Sequence, residues 1–189
     1  MFKKIVQLKL KYLAKFILAK YQPKVIGITG SVGKTSAKEA VLAVLSLKFK
    51  VRASSKNYNN EFGLPLTIIG LDSPGKNIFG WLEVFFKACS LIIFKVSDYP
   101  EILILEMGVD KPGDMTYLNS IVKCDIGVIT AIGQTHLESF GTIEKIQKEK
   151  GKLILDLKKN GFGIFNFDDS RASEIFNSVK SKTMSYGFK

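Results

Sequence analysis

The runs at 24–29, 101–106 and 125–130 are apolar in every position but their ends. A strand with one face in water alternates apolar and polar residues, so an unbroken apolar run suits a strand buried on both faces. A shorter run at 163–166 has the same form. Helical patterns lie between these runs, at 37–47, 114–122 and 143–159. Strand and helix in alternation predict an α/β fold, a mostly parallel sheet with helices on both faces. No internal repeat and no low-complexity linker interrupts the pattern.

A length of 189 residues is enough for one domain with a core, and 46% hydrophobic with 24% charged residues excludes a disordered chain. Two cysteines, Cys89 and Cys124, are too few for a disulfide framework or a four-thiolate zinc site, which makes the cytoplasm the default compartment. The net charge of +11 is unevenly placed. Residues 1–24 carry seven lysines and no acid, whereas 25–149 hold thirteen basic and thirteen acidic side chains. Nucleic-acid binders spread basic residues over a folded face. A neutral body with basic ends therefore argues against nucleic acid as a partner.

Residues 1–22 read as a basic amphipathic helix, with Phe2, Ile5, Val6, Leu13, Phe16 and Ile17 among the lysines. Two readings stand: a helix lying on a membrane surface, and a helix docked on the domain with its lysines in water. Lysines break any apolar core in this stretch, so it is not a signal peptide. The segment 78–96 is apolar and nearly long enough to span a bilayer, but Glu83 and Lys87 lie one turn apart inside it. A packed or interfacial helix is the expectation there.

Between the first strand and its helix stands Gly30-Ser31-Val32-Gly33-Lys34-Thr35-Ser36. Glycines let backbone N–H groups turn toward phosphate oxygens, and a helix N-terminus adds partial positive charge. Lys34 is placed to reach terminal phosphates and the Thr35 hydroxyl to bind Mg²⁺. The usual phosphate-loop spacing is not met, because Ile28 stands where the first glycine belongs and Gly27 comes one residue early. Glu106 ends an apolar run, and ligands of open α/β sheets collect at the carboxyl ends of strands. A carboxylate there suits Mg²⁺. Lys150 shares a helical face with Ile143, Ile146, Leu153, Ile154 and Leu157, which predicts an inward lysine. Burial lowers the pKa of an amine and leaves more of it neutral for reaction with carbon dioxide.

The loop Thr29-Gly30-Ser31-Val32-Gly33-Lys34-Thr35 resembles that of the Mur ligases, and four more segments follow in family order. They are 57–67, with Asn59, Asn60, Gly63 and Pro65; Glu106-Met107-Gly108 with Pro112, Gly113 and Asp114; 136–141 with Lys150; and Asn166-Phe167-Asp168-Asp169. The resemblance covers about 24–189, the first part of the family's central ATPase domain, and leaves 1–23 as a separate basic helix. It implies a P-loop-like fold, ATP with two Mg²⁺ ions, and an amide-forming ligase of peptidoglycan precursor synthesis. The implied substrates are a UDP-linked muramoyl peptide and D-Ala-D-Ala or an amino acid. The resemblance gives Lys34, His136 and Lys150 to catalysis, with Lys150 carbamylated. It gives Thr35, Glu106, His136 and Lys150 to the metals, Asn59 and Asn60 to the substrate side, and Asn166 and Asp169 to the nucleotide. An ordinary turn remains an equal reading for Asn59-Asn60, and a strand-end turn for 166–169. The family's other domains have no counterpart in these 189 residues, so a fragment, or half of a split enzyme completed in trans, is expected. The rivals are a folylpolyglutamate synthase-like ligase and a membrane-attached nucleotide-binding module without turnover.

Overall fold

The computed structural model describes residues 2–55, 58–179 and 182–188; Asn57, Lys189 and the side chain of Phe2 lie outside it. Six strands form one sheet: β1 (Lys24–Thr29), β2 (Val51–Ala53), β3 (Ile102–Glu106), β4 (Ile126–Ile129), β5 (Phe162–Asn166) and β6 (Lys182–Tyr186). Their order is β2-β3-β1-β4-β5-β6 and every pairing is parallel. In the centre Ile28 of β1 stands opposite Glu106 of β3 and Val128 of β4. The expected parallel α/β architecture is therefore present.

The two faces are covered unequally. α2 (Lys34–Leu45) lies over Ile26, Ile28, Ile104 and Val128, with Val41, Leu42 and Leu45 against them. The main core, on the other face, holds Val25, Leu103, Leu105 and Ile129 together with Ile146 and Leu153 of α7 (Ile143–Leu155) and Met115 and Leu118 of α5 (Asp114–Asn119). The same core takes Leu64, Leu66, Ile68 and Ile69 of α3 (Gly63–Ile69) and Val84, Ala88 and Leu91 of α4 (Ile78–Ile93). A short α6 (Leu137–Phe140) and α8 (Ser170–Ser178) complete the set. Side-chain caps start several helices. Asn77 accepts from Phe79 and Gly80 N–H, Thr142 from Lys145 N–H, and Asp169 from Ala172 N–H.

α1 (Phe2–Tyr21) is docked, not free. Its Val6, Leu10, Ala14 and Ile17 are buried in the main core, while Ile5 and Phe16, expected on the same stripe, face outward. The stripe read from the sequence ran across two faces: Val6 and Ile17 belong to the inner one. Among the described residues no helix is long and apolar enough to cross a membrane, so 78–96 is no span and α4 packs along one side only.

Candidate functional site

The chain leaves β1 toward β2 on one side and returns past β1 to reach β4 and β5, so the crevice above β1, β3 and β4 is the switch point of the sheet. The loop 30–35 sits there and runs straight into α2, whose first residue is Lys34 rather than residue 37. Gly33 adopts φ +82°, a conformation that favours glycine, and its left-handed turn begins the helix. A Cβ on Gly30 would collide with Thr130 Oγ1. Thr130 and the loop after β4 fasten the turn: Thr130 Oγ1 donates to the Val32 carbonyl at 2.6 Å, Ser31 N–H to the Ala131 carbonyl at 2.7 Å, and Ser31 Oγ to the Gly133 carbonyl at 3.0 Å. Val32 and Ser36 are exposed beside it.

Two lysines converge on one carbonyl. Lys34 Nζ donates to the Gly30 carbonyl at 2.8 Å, and Lys150 Nζ, from α7, donates to the same oxygen at 3.0 Å. Lys150 is 2% exposed. Burial first, and the Lys34 charge second, lower its pKa from 10.5 to about 8, against a smaller opposing pull from Asp110. The inward lysine expected from the helical spacing is thus in place beside the loop 30–35.

Glu106 is buried at the end of β3, and its carboxylate accepts from Thr35 Oγ1 at 3.0 Å and from Asn59 Nδ2 at 3.3 Å. Its backbone N–H donates to Ser54 Oγ at 3.2 Å. Ser54 in turn offers its carbonyl to the buried Lys38 Nζ at 2.7 Å. A hydroxyl and a carboxylate in contact at a helix N-terminus are hard oxygen donors of the kind Mg²⁺ takes. Thr35 and Glu106 therefore fit the Mg²⁺ ion expected from the sequence. No group of three or more His, Cys, Asp or Glu among the described residues forms a fuller metal cluster.

His136 stands apart from this pair of contacts. It sits at φ +56° just before α6, with Nε2 3.3 Å from Asp110 Oδ1, and both side chains are exposed. The Asp110 loop is tied down on its far side. Glu149, the neighbour of Lys150, accepts from Gly113 N–H at 3.1 Å and Met115 N–H at 2.9 Å, and pairs with Lys152 at 2.7 Å. One helix thus holds both the buried lysine and the loop that meets the histidine.

The paired asparagines divide between the two readings. Asn59 reaches Glu106, whereas Asn60 Oδ1 accepts from Phe62 and Gly63 N–H and shapes the entry to α3. Asn166 Oδ1 accepts from Asp168 N–H. Asp169 Oδ1 caps α8, and its Oδ2 accepts from Ile132 N–H at 3.2 Å. Asp169 thereby joins the end of β5 to the loop that holds Ser31. Sequence reasoning missed Lys38, Ser54, Asp110, Thr130 and Glu149. Lys38 carried a legible signal, since it stands one helical turn beyond Lys34; the others work through contacts between distant segments.

A cavity of about 360 Å³ opens beside the crevice between Gln7 of α1, Asn59, Asn60, Asp110, Lys111 and Tyr117. It adjoins the Glu106 carboxylate through Asn59.

Comparison with known proteins accords with this geometry. The family model described as the Mur ligase middle domain matches residues 88–189, more than half of the chain. The UDP-N-acetylmuramoyl-tripeptide–D-alanyl-D-alanine ligase of Bacillus subtilis is 32% identical over 94% of this chain, which spans 33% of that relative. The MurF ligase of Thermotoga maritima, solved in complex with ADP, superposes with a TM-score of 0.75 at 32% identity, over 96% of this chain and 36% of that one. The Escherichia coli FolC structure with ADP and DHPP matches at a TM-score of 0.55 and 18% identity, over 92% of this chain and 46% of that one, and shares the fold alone. The chain spans about a third of the length of the curated relatives it matches. It belongs to the Mur ligase family, through that family's middle domain.

Proposed function

We propose that this chain is the nucleotide-binding part of an ATP-dependent amide-bond-forming ligase of peptidoglycan precursor synthesis. The observation that carries the reading is the meeting, at one phosphate loop, of Lys34, Thr35 bonded to Glu106, and the buried Lys150. Family membership supports it. The substrates proposed are a UDP-linked muramoyl tripeptide and D-Ala-D-Ala, as named for the curated relatives.

In this reading the peptide carboxylate attacks the γ-phosphorus of ATP and ADP leaves, giving an acyl phosphate. The amine of the incoming dipeptide then attacks the acyl carbon, phosphate leaves, and the amine loses a proton. Backbone N–H groups of 30–35 hold the phosphates, and Lys34 offsets charge on the transferring group. Thr35 and Glu106 would hold Mg²⁺, which supplies charge neutralisation at the phosphate oxygens. Lys150 and His136 would hold a second ion: the neutral Lys150 amine adds to the carbon of carbon dioxide and releases one proton to solvent, and the resulting carbamate would offer two oxygen ligands. Asn59 would orient the carboxylate of Glu106, and Asp169 would steady the adenosine side of the loop by its bond to Ile132 N–H.

Substrate positioning contributes about 7 kcal/mol or more to reactions of this kind. The remaining two-thirds of the relatives' length, in cis or in trans, is proposed to supply it. The compartment proposed is the cytoplasm, at the inner face of the membrane. The test is ADP release by the chain with the other ligase domains supplied. Release that needs both the muramoyl tripeptide and D-Ala-D-Ala supports the assignment. Release that needs folate and glutamate instead, or none with any substrate pair despite ATP binding, overturns it.

A further inference from the structure

The layer formed by α1 and α4 is apolar on its outer side. On α1, Ile5, Leu8, Tyr12 and Phe16 recur at helical spacing and are about half exposed, opposite the buried Val6, Leu10, Ala14 and Ile17. On α4, Phe79, Leu82, Phe86 and Ile93 line one face opposite the buried Val84, Ala88 and Leu91, and Phe79 and Phe86 are each 81% exposed. The helices run side by side in the same direction. Lys3 and Val6 share a cavity with Trp81 near the two N-termini, Lys9 lies over the Phe85 ring at 6.0 Å, and Lys20 donates to the Leu91 and Ile92 carbonyls near the two C-termini. Both stripes therefore point the same way, outward from the sheet.

Aromatic side chains present about 150–250 Å² each, so Tyr12, Phe16, Phe79 and Phe86 alone expose several hundred Å². A typical monomer leaves no more than a few hundred Å² in its largest apolar patch. The α1 side of this patch is basic. Lys3, Lys4, Lys9, Lys15 and Lys20 are exposed on α1, which has no acid, whereas Lys87 and Glu83 of α4 offset each other. Two copies meeting through this face would set lysine against lysine, which opposes self-pairing. An apolar face bordered by cations along α1 instead matches a surface with an apolar interior and anionic headgroups.

We propose that the paired outer stripes of α1 and α4 form one interfacial face that seats the protein on an anionic lipid bilayer. The apolar side chains enter the boundary between headgroups and acyl chains, and the lysines meet headgroup phosphates. α4 supplies the greater apolar share, so the face extends well beyond the N-terminal helix. The proposal is independent of which reaction the crevice performs.

The test is flotation of the full chain with phosphatidylcholine vesicles containing about a third phosphatidylglycerol, and with phosphatidylcholine alone. The parent chain should float with the anionic vesicles, and removing phosphatidylglycerol or raising the salt should weaken binding about tenfold or more. Phe79→Ser with Phe86→Ser should weaken it by about tenfold or more as well. Circular dichroism and Mg-ATP affinity should stay those of the parent. Failure of the parent chain to float overturns the proposal, and so does equal binding to neutral vesicles or flotation untouched by the double substitution. A parent dimer that the double substitution turns into a monomer assigns the face to a second copy instead.

Discussion

Replacing Lys150 by Met should change how stability depends on pH, in a direction set by burial. In the folded chain Lys150 is 2% exposed, its Nζ meets a neutral carbonyl, and its pKa is lowered to about 8. In the unfolded chain a lysine titrates near about 10.4. Between those values the unfolded state holds the proton and the folded state has released it, so this group makes stability rise with pH. The folded ammonium costs about 3 kcal/mol at pH 7, and about 1 kcal/mol of that remains near pH 9.5. Urea unfolding of the parent and Lys150→Met at the two pH values, in bicarbonate-free buffer, isolates this titration from that of the other lysines. The stability of the parent relative to Lys150→Met should rise by about 2 kcal/mol across the interval. Parallel pH profiles would refute the reasoning, because they would mean that Lys150 titrates like a solvated lysine.

Glu149→Ala should destabilise the chain by about 3 kcal/mol in urea unfolding, since it strands the Gly113 and Met115 N–H groups and unpairs Lys152; a change under 1 kcal/mol would show that the loop finds other partners. Gly30→Ala should cost about 1–3 kcal/mol by forcing a methyl group against Thr130, and a neutral result in thermal unfolding would contradict that close approach.

The parts of the fold most legible in the sequence were those whose burial left an unbroken pattern. β1, β3 and β4 are enclosed on both faces, and their apolar runs announce it. β2 is three half-buried residues, too short for any period to show. α3 was hidden by the opposite excess: all seven of its residues are buried, so no polar face marks a helix, and it opens with glycine and a proline two residues on. β6 is an exposed edge with one half-buried position among five. In the site, placements that depend on local spacing were readable, as with the turn at 30–33 that opens α2 and the stripe that carries Lys150 inward. Asp110, Thr130 and Glu149 act through partners far along the chain, and the fold alone brings those partners together.

The central claim is that the loop at 30–35 holds the phosphates of Mg-ATP, and calorimetric titration of the parent chain and Lys34→Ala tests it most directly. A charged hydrogen bond of this kind contributes about 1.5–3 kcal/mol. The account predicts binding by the parent chain and affinity at least about tenfold weaker in Lys34→Ala, with circular dichroism unchanged. Equal affinity in the two proteins, both folded, would contradict it.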